Sequence, residues 1–215
     1  MTLRICFFSL LLCCGAFSTA LAGDGLLTRL QQRYEAMASF QADFAQIQVN
    51  AASKETVHGN GTLTYAKPRL VRWETTDPEP ELLVVDATTV WDYFPYENVA
   101  YRYPAEQVLG AKSMLRFVSG ETRLDKDFIV DAKGEDAGLA LYDLFPKESE
   151  SGMVQASVWI DPATALIRRV RILDFWGNSN ELTFAAMRLD VPVKPDMFTF
   201  DPPKGVTVMR DTPAR

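Results

Sequence analysis

From Ser39 onward the apolar residues of this chain recur at every second position, in short runs separated by turn-forming residues. A chain patterned this way can pair its backbone groups only by folding strand against strand, and short connections make that pairing antiparallel. Phe40, Ala42 and Phe44 alternate with Gln41 and Asp43. The same period returns in Val154, Ala156, Val158 and Ile160, and again in Leu166, Arg168, Val170 and Ile172. Between them the pattern predicts strands over residues 56–66, 70–75, 82–86, 89–94 and 98–103, and in a second half over 129–131, 139–146, 154–161, 166–176 and 180–190. Gly59-Asn60, Lys67-Pro68, Pro78, Pro80, Asp161-Pro162 and Gly177-Asn178 punctuate the runs.

Two stretches depart from this rhythm. Leu26, Leu27, Leu30, Tyr34 and Met37 step by three and four, which predicts an amphipathic helix over 26–37 with Asp24 placed to cap it. Between Pro104 and Gly120, Val108, Leu109, Met114, Leu115, Phe117 and Val118 suit one or two short helices with an apolar side. The expected class is therefore mainly β with a few α-helices: one sheet of ten or eleven strands. A sheet of that width curls, and the helices are the natural cover for its concave apolar face.

The N-terminus reads as a secretory signal peptide. Arg4 precedes an apolar run from Ile5 to Leu12, and Ala20-Leu21-Ala22 makes an A-x-A exit, so residues 1–22 are expected to be removed and 23–215 to form a single domain. All three cysteines, Cys6, Cys13 and Cys14, fall in the leader. A mature chain without thiols has no disulfide, thiolate metal site or cysteine nucleophile. Leu12 before Cys13 is not the small residue that a lipid-attachment signal requires. Loss of Arg4 leaves 21 basic against 28 acidic residues, a balance unsuited to nucleic acid.

Catalytic chemistry finds few candidates. His58 is the only histidine, set among Thr56, Gly59 and Asn60 at a polar strand end. There is no G-x-S-x-G elbow and no glycine-rich phosphate loop. Asp125 with Asp127, or Asp43 with Asp86, could serve as paired carboxylates, but both pairs also read as ordinary solvated and turn residues. The expectation is a binding protein rather than an enzyme, with no metal or nucleotide cofactor of its own.

Two segments carry a family resemblance. Gly61 to Trp73, GTLTYAKPRLVRW, is followed by Pro78, Leu82 and Asp86, and Phe198 to Val208 reads FTFDPPKGVTV. With the W-x-Y of Trp91-Asp92-Tyr93 and the segment Ser39 to Gln46, these resemble the LolA family of periplasmic outer-membrane lipoprotein carriers. The resemblance implies an unclosed antiparallel β-barrel of about eleven strands with a helical lid over an apolar cavity. It also implies a periplasmic, monomeric chaperone whose partners are lipoprotein acyl chains, an inner-membrane ABC-type release complex and an outer-membrane lipoprotein receptor. A receptor lipoprotein of the same fold and a lipid-binding envelope sensor are the alternatives.

Residue by residue, the resemblance places Trp73, Trp91, Tyr93, Leu63 and Tyr65 in the acyl-chain cavity, with plain core packing as the competing reading. Met114, Leu115, Phe117 and Val118 become lid residues. Lys67, Arg69 and Val71 become lid-latch or partner-contact residues. Lys67 stands where the family typically has arginine, and Val71 where it often has phenylalanine. Lysine keeps the charge but lacks the planar five-donor fork. Alternation puts Lys67, Arg69, Val71 and Trp73 on one face.

Overall fold

The strand that begins at Ser39 becomes the middle of the sheet, and its position explains how two sequential meanders form one surface. The computed structural model describes residues 22–105, 117, 122–148 and 152–210. One helix, α1 (Ala22–Ala36), precedes β1 (Ser39–Val49). The first meander continues through β2 (Thr56–Ala66), β3 (Leu70–Asp77), β4 (Glu81–Val85), β5 (Thr89–Phe94) and β6 (Val99–Pro104). After a single helical turn, α2 (Leu124–Asp127), the second runs through β7 (Phe128–Asp136), β8 (Leu139–Pro146), β9 (Gln155–Asp161), β10 (Leu166–Leu173) and β11 (Ser179–Leu189). A 3₁₀ turn (Pro195–Phe198) leads to β12 (Thr207–Arg210).

The twelve strands form one sheet in the order β12-β6-β5-β4-β3-β2-β1-β11-β10-β9-β8-β7. Pairing of β1 with β11 joins the two meanders, so the sheet is continuous while its outer strands, β12 and β7, remain at opposite edges. This is an unclosed, mainly antiparallel sheet. The expected eleven strands are all present. The twelfth, β12, is four exposed residues running parallel to β6, with no alternation in the sequence to announce it.

The boundaries that moved did so for local reasons. The run 166–176 stops at Leu173, because Asp174 Oδ1 accepts the backbone N–H of Trp176 and of Asn178 and closes a turn. The short run 129–131 extends to Phe128–Asp136, an edge strand almost wholly exposed and therefore without an apolar period. α1 starts at Ala22, so Asp24 lies inside its first turn instead of capping it.

α1 lies across the concave face. Leu26, Leu30, Tyr34 and Met37 are buried with Phe40, Phe44, Val170 and Leu182 of the sheet. Arg29 ties the helix to the β9–β10 turn through the carbonyl of Pro162 at 2.6 Å. Burial holds the Tyr34 hydroxyl protonated, opposed by a hydrogen bond to the backbone of Ile167.

Candidate functional site: the concave face

Register builds this face strand by strand. Phe40 on β1 pairs with Tyr65 on β2, Tyr65 with Val71 on β3, and Val71 with Val85 on β4. The neighbouring row runs Ala42, Leu63, Trp73, Leu83. Side chains directly opposite across an antiparallel ladder share a face, so these rows are one apolar surface. Phe44 completes it, its ring 5.0 Å from that of Trp73. Gly61 lies opposite Phe44, and a Cβ there would stand 1.8 Å from the Glu74 carbonyl oxygen and 2.9 Å from the Phe44 ring. Only a residue without a side chain leaves room there for both the ring and the Glu74 carbonyl.

Leu63 and Tyr65, expected in the cavity, are 0% and 2% exposed and belong to the packed core beneath it. Trp73 is half-buried at the edge of that core. Val71 is buried beside Tyr65 and Val85, facing the same interior as Trp73.

Trp91 and Tyr93 are placed differently from expectation. Trp91 pairs with Val84 and Arg102, and Tyr93 with Leu82 and Ala100. These positions alternate with Leu83, Val85 and Val90, so both rings lie on the opposite, convex face. There they pack against Phe200 in tilted pairs, with ring centroids at 5.5 and 5.2 Å, and the Arg102 guanidinium covers Trp91 at 5.5 Å. The W-x-Y motif and the C-terminal F-x-F segment thus form a second, outer cluster instead of lining the cavity. Arg72 anchors the same segment through the Met197 carbonyl at 3.2 Å.

The Lys67 turn also differs. β2 ends at Ala66, the Lys67–Pro68 peptide is cis, and residues 67–69 form the turn before β3. Lys67 and Arg69 therefore leave the face that Val71 and Trp73 occupy. The Lys67 ammonium donates to the carbonyl of Glu35, in the last turn of α1. Of the lid residues, Met114, Leu115 and Val118 lie outside the described residues, as does the leader up to Leu21. Phe117 is helical and buried, its ring 5.6 Å from Phe128.

Two features of the face escaped the sequence reading. One is a groove of about 500 Å³ between α1 and strands β7 and β8, floored by Leu27, Leu124, Val130 and Tyr142 and edged by Gln31, Glu35 and Arg123. Its volume falls within the range of small-molecule pockets. The other is a carboxyl pair. Asp92 pairs with Leu83 on the concave face, and one of its oxygens is buried without a hydrogen-bond partner. Burial first, then the charge and hydrogen bond of Glu81, push the Asp92 carboxyl up to about 7. Among the described residues, no three His, Cys, Asp or Glu side chains gather to hold a metal ion. None of their helices is long and apolar enough to cross a membrane.

An unclosed antiparallel sheet whose concave apolar face is crossed by one helix defines a class of proteins that hold apolar ligands against that face. Within this class, the model described as "Outer membrane lipoprotein carrier protein LolA" matches residues 35–201, and the chain belongs to that family. An outer-membrane lipoprotein carrier protein of Vibrio campbellii (strain ATCC BAA-1116) is 30% identical over 202 residues, covering 94% of this chain and 93% of the relative. Another, from Dechloromonas aromatica (strain RCB), is 26% identical over 196 residues and covers 91% and 93%. An uncharacterized conserved protein from Thermus thermophilus shares the fold, with a TM-score of 0.55 at 16% identity over 87% of this chain and 98% of that one.

Proposed function

We propose that the protein is a non-enzymatic periplasmic carrier. It accepts lipoproteins released from the inner membrane by an ABC-type complex, shields their acyl chains and delivers them to an outer-membrane receptor. The observation that carries this reading is the apolar concave face running from Phe40 and Leu63 to Trp73 and Leu83, with α1 laid across it. In this reading the signal peptide of residues 1–22 directs export, and Met114, Leu115, Phe117 and Val118 contribute the lid.

The physical need is large. Burying a methylene is worth ~0.8 kcal/mol, so three acyl chains of ordinary length cost on the order of 35 kcal/mol to expose to water. A carrier replaces one apolar environment with another, and net binding is far smaller than the gross transfer because opening and ordering oppose it. The groove beside α1 and the half-buried Trp73 are the places where apolar surface can open without unravelling the sheet.

The test is release from spheroplasts of the source organism. Added protein is expected to recover a stoichiometric complex with an outer-membrane lipoprotein in the supernatant. Failure to release any lipoprotein, while a fluorescent fatty acid still binds, would overturn the cargo but leave the cavity.

A further inference from the structure

At the end of the sheet where β10 turns into β11, two large aromatic side chains stand in solvent. Phe175 is 72% and Trp176 67% exposed, and their rings meet edge to face at 6.0 Å. Nothing in the concave face uses them.

The turn that presents them is closed by hydrogen bonds. Asp174 Oδ1 accepts the N–H of Trp176 at 2.9 Å and of Asn178 at 2.8 Å, while Asp174 Oδ2 accepts the Asn178 amide at 2.8 Å. The Gly177 N–H donates to the Asp174 carbonyl, and the Asp174 N–H to the Asn178 carbonyl. Gly177 takes a φ of +84°, the left-handed region that this turn demands. Asn178 also accepts the Ala51 N–H at 2.9 Å, which ties the tip to the β1–β2 turn. Two partly exposed valines lie near its base: Val154 donates its N–H to the Leu173 carbonyl, and Val57 lines a groove with Asp174 and Asn178.

We infer that the Phe175–Trp176 tip is a docking element that inserts into the surface of a zwitterionic lipid bilayer. Three observations select that occupant. The aromatics occupy the turn between two strands and are both largely exposed, so both rings are free to enter a soft medium. The backbone donors of Trp176, Gly177 and Asn178 are satisfied inside the turn, so the tip can leave water without stranding them. The neighbouring turn carries one charge of each sign, Lys54 and Glu55, on a chain of net charge −6, which gives an anionic surface no attraction. Tryptophan is the side chain most at home at such an interface, with an apolar body and one N–H for headgroup oxygens. The inference rests on the exposure and hydrogen bonding of this turn and is independent of what the concave face carries.

The test uses the purified protein with phosphatidylcholine vesicles whose acyl chains are brominated. Bromine is expected to quench part of the tryptophan emission, and high salt to leave binding unchanged. An added fraction of phosphatidylglycerol should weaken it. The double variant Phe175→Ser, Trp176→Ser should lose partitioning by on the order of a hundredfold, with its melting temperature unchanged. A wild-type protein that neither floats with these vesicles nor is quenched overturns the inference and leaves the pair to a protein pocket. Equal binding by wild type and double variant also overturns it, since insertion would then occur elsewhere.

Discussion

The ammonium of Lys67 donates to the carbonyl of Glu35, so the turn between β2 and β3 holds the C-terminal end of α1. A cation there meets both an unpaired carbonyl and the negative end of the helix dipole. The Lys67 N–H reinforces the join through the Ala38 carbonyl at 2.9 Å, and Asp190 Oδ1 accepts the Ala38 N–H from the other side at 2.9 Å. α1 is thus clamped where it enters β1. The contact expected of Lys67 was with the lid residues; the one seen among the described residues is with the end of α1.

Replacing that cation tests the latch. Lys67→Met is expected to cost ~0.5–1 kcal/mol in urea unfolding, and Lys67→Arg to retain most of it. Amide exchange in α1 should quicken in the methionine variant before exchange in β1 does. Identical exchange in both would remove the latch from the account.

Gly61 marks where backbone and ring approach most closely. With its added Cβ at 1.8 Å from the Glu74 carbonyl oxygen, Gly61→Ala must displace β3 or rotate Phe44 away from Trp73. The expected loss is about 3 kcal/mol, read as a lowered urea midpoint. A stability within experimental error of the parent would mean that the strands separate freely there.

Most of the fold was legible because alternation reports a half-buried strand directly. The runs 56–66, 89–94 and 139–146 match their strands end to end. β12 and most of β7 were not legible, since exposed edge strands carry no apolar period. The site was harder. Alternation says that Trp91 and Tyr93 share a face but not which face, and the answer depends on Phe200, more than a hundred positions away. The face of Lys67 and Arg69 was misassigned because the chain turns at Pro68 instead of running through it. Asp92 carried no signal of its own in the sequence beyond its place between Trp91 and Tyr93, and only its neighbours across the ladder, Leu83 and Tyr101, put it on the inner face.

The two tryptophans now separate by role. Trp73→Ala is expected to weaken binding of a fluorescent fatty acid about tenfold, because it removes apolar surface at the edge of the concave face. Trp91→Ala should leave that affinity unchanged. Its cost appears instead as faster amide exchange over Thr207–Arg210, as the outer cluster with Phe200 loosens. Equal effects on fatty-acid affinity would contradict the placement of the two rings.

The carboxyl pair on the concave face makes stability depend on pH. Asp92 titrates at about 7 in the folded protein and near its ordinary value of 3.8 in the unfolded chain. Between those values the folded state binds the extra proton, so stability is greatest at the acidic end and falls as pH rises towards 7, with no further change from this group above it. Because the carboxyl is partly solvated, the expected span is ~1–2 kcal/mol, well below the full shift taken at face value. Asp92→Asn should abolish this slope and leave the variant more stable than the parent at pH 8, since the amide carries no charge to bury beside Glu81. Glu81→Gln should flatten the slope only in part, because burial, the larger cause, remains. Urea midpoints of the three proteins across this pH range decide it, and a parent whose stability rises with pH between 4 and 7 would show that Asp92 is not the group in control.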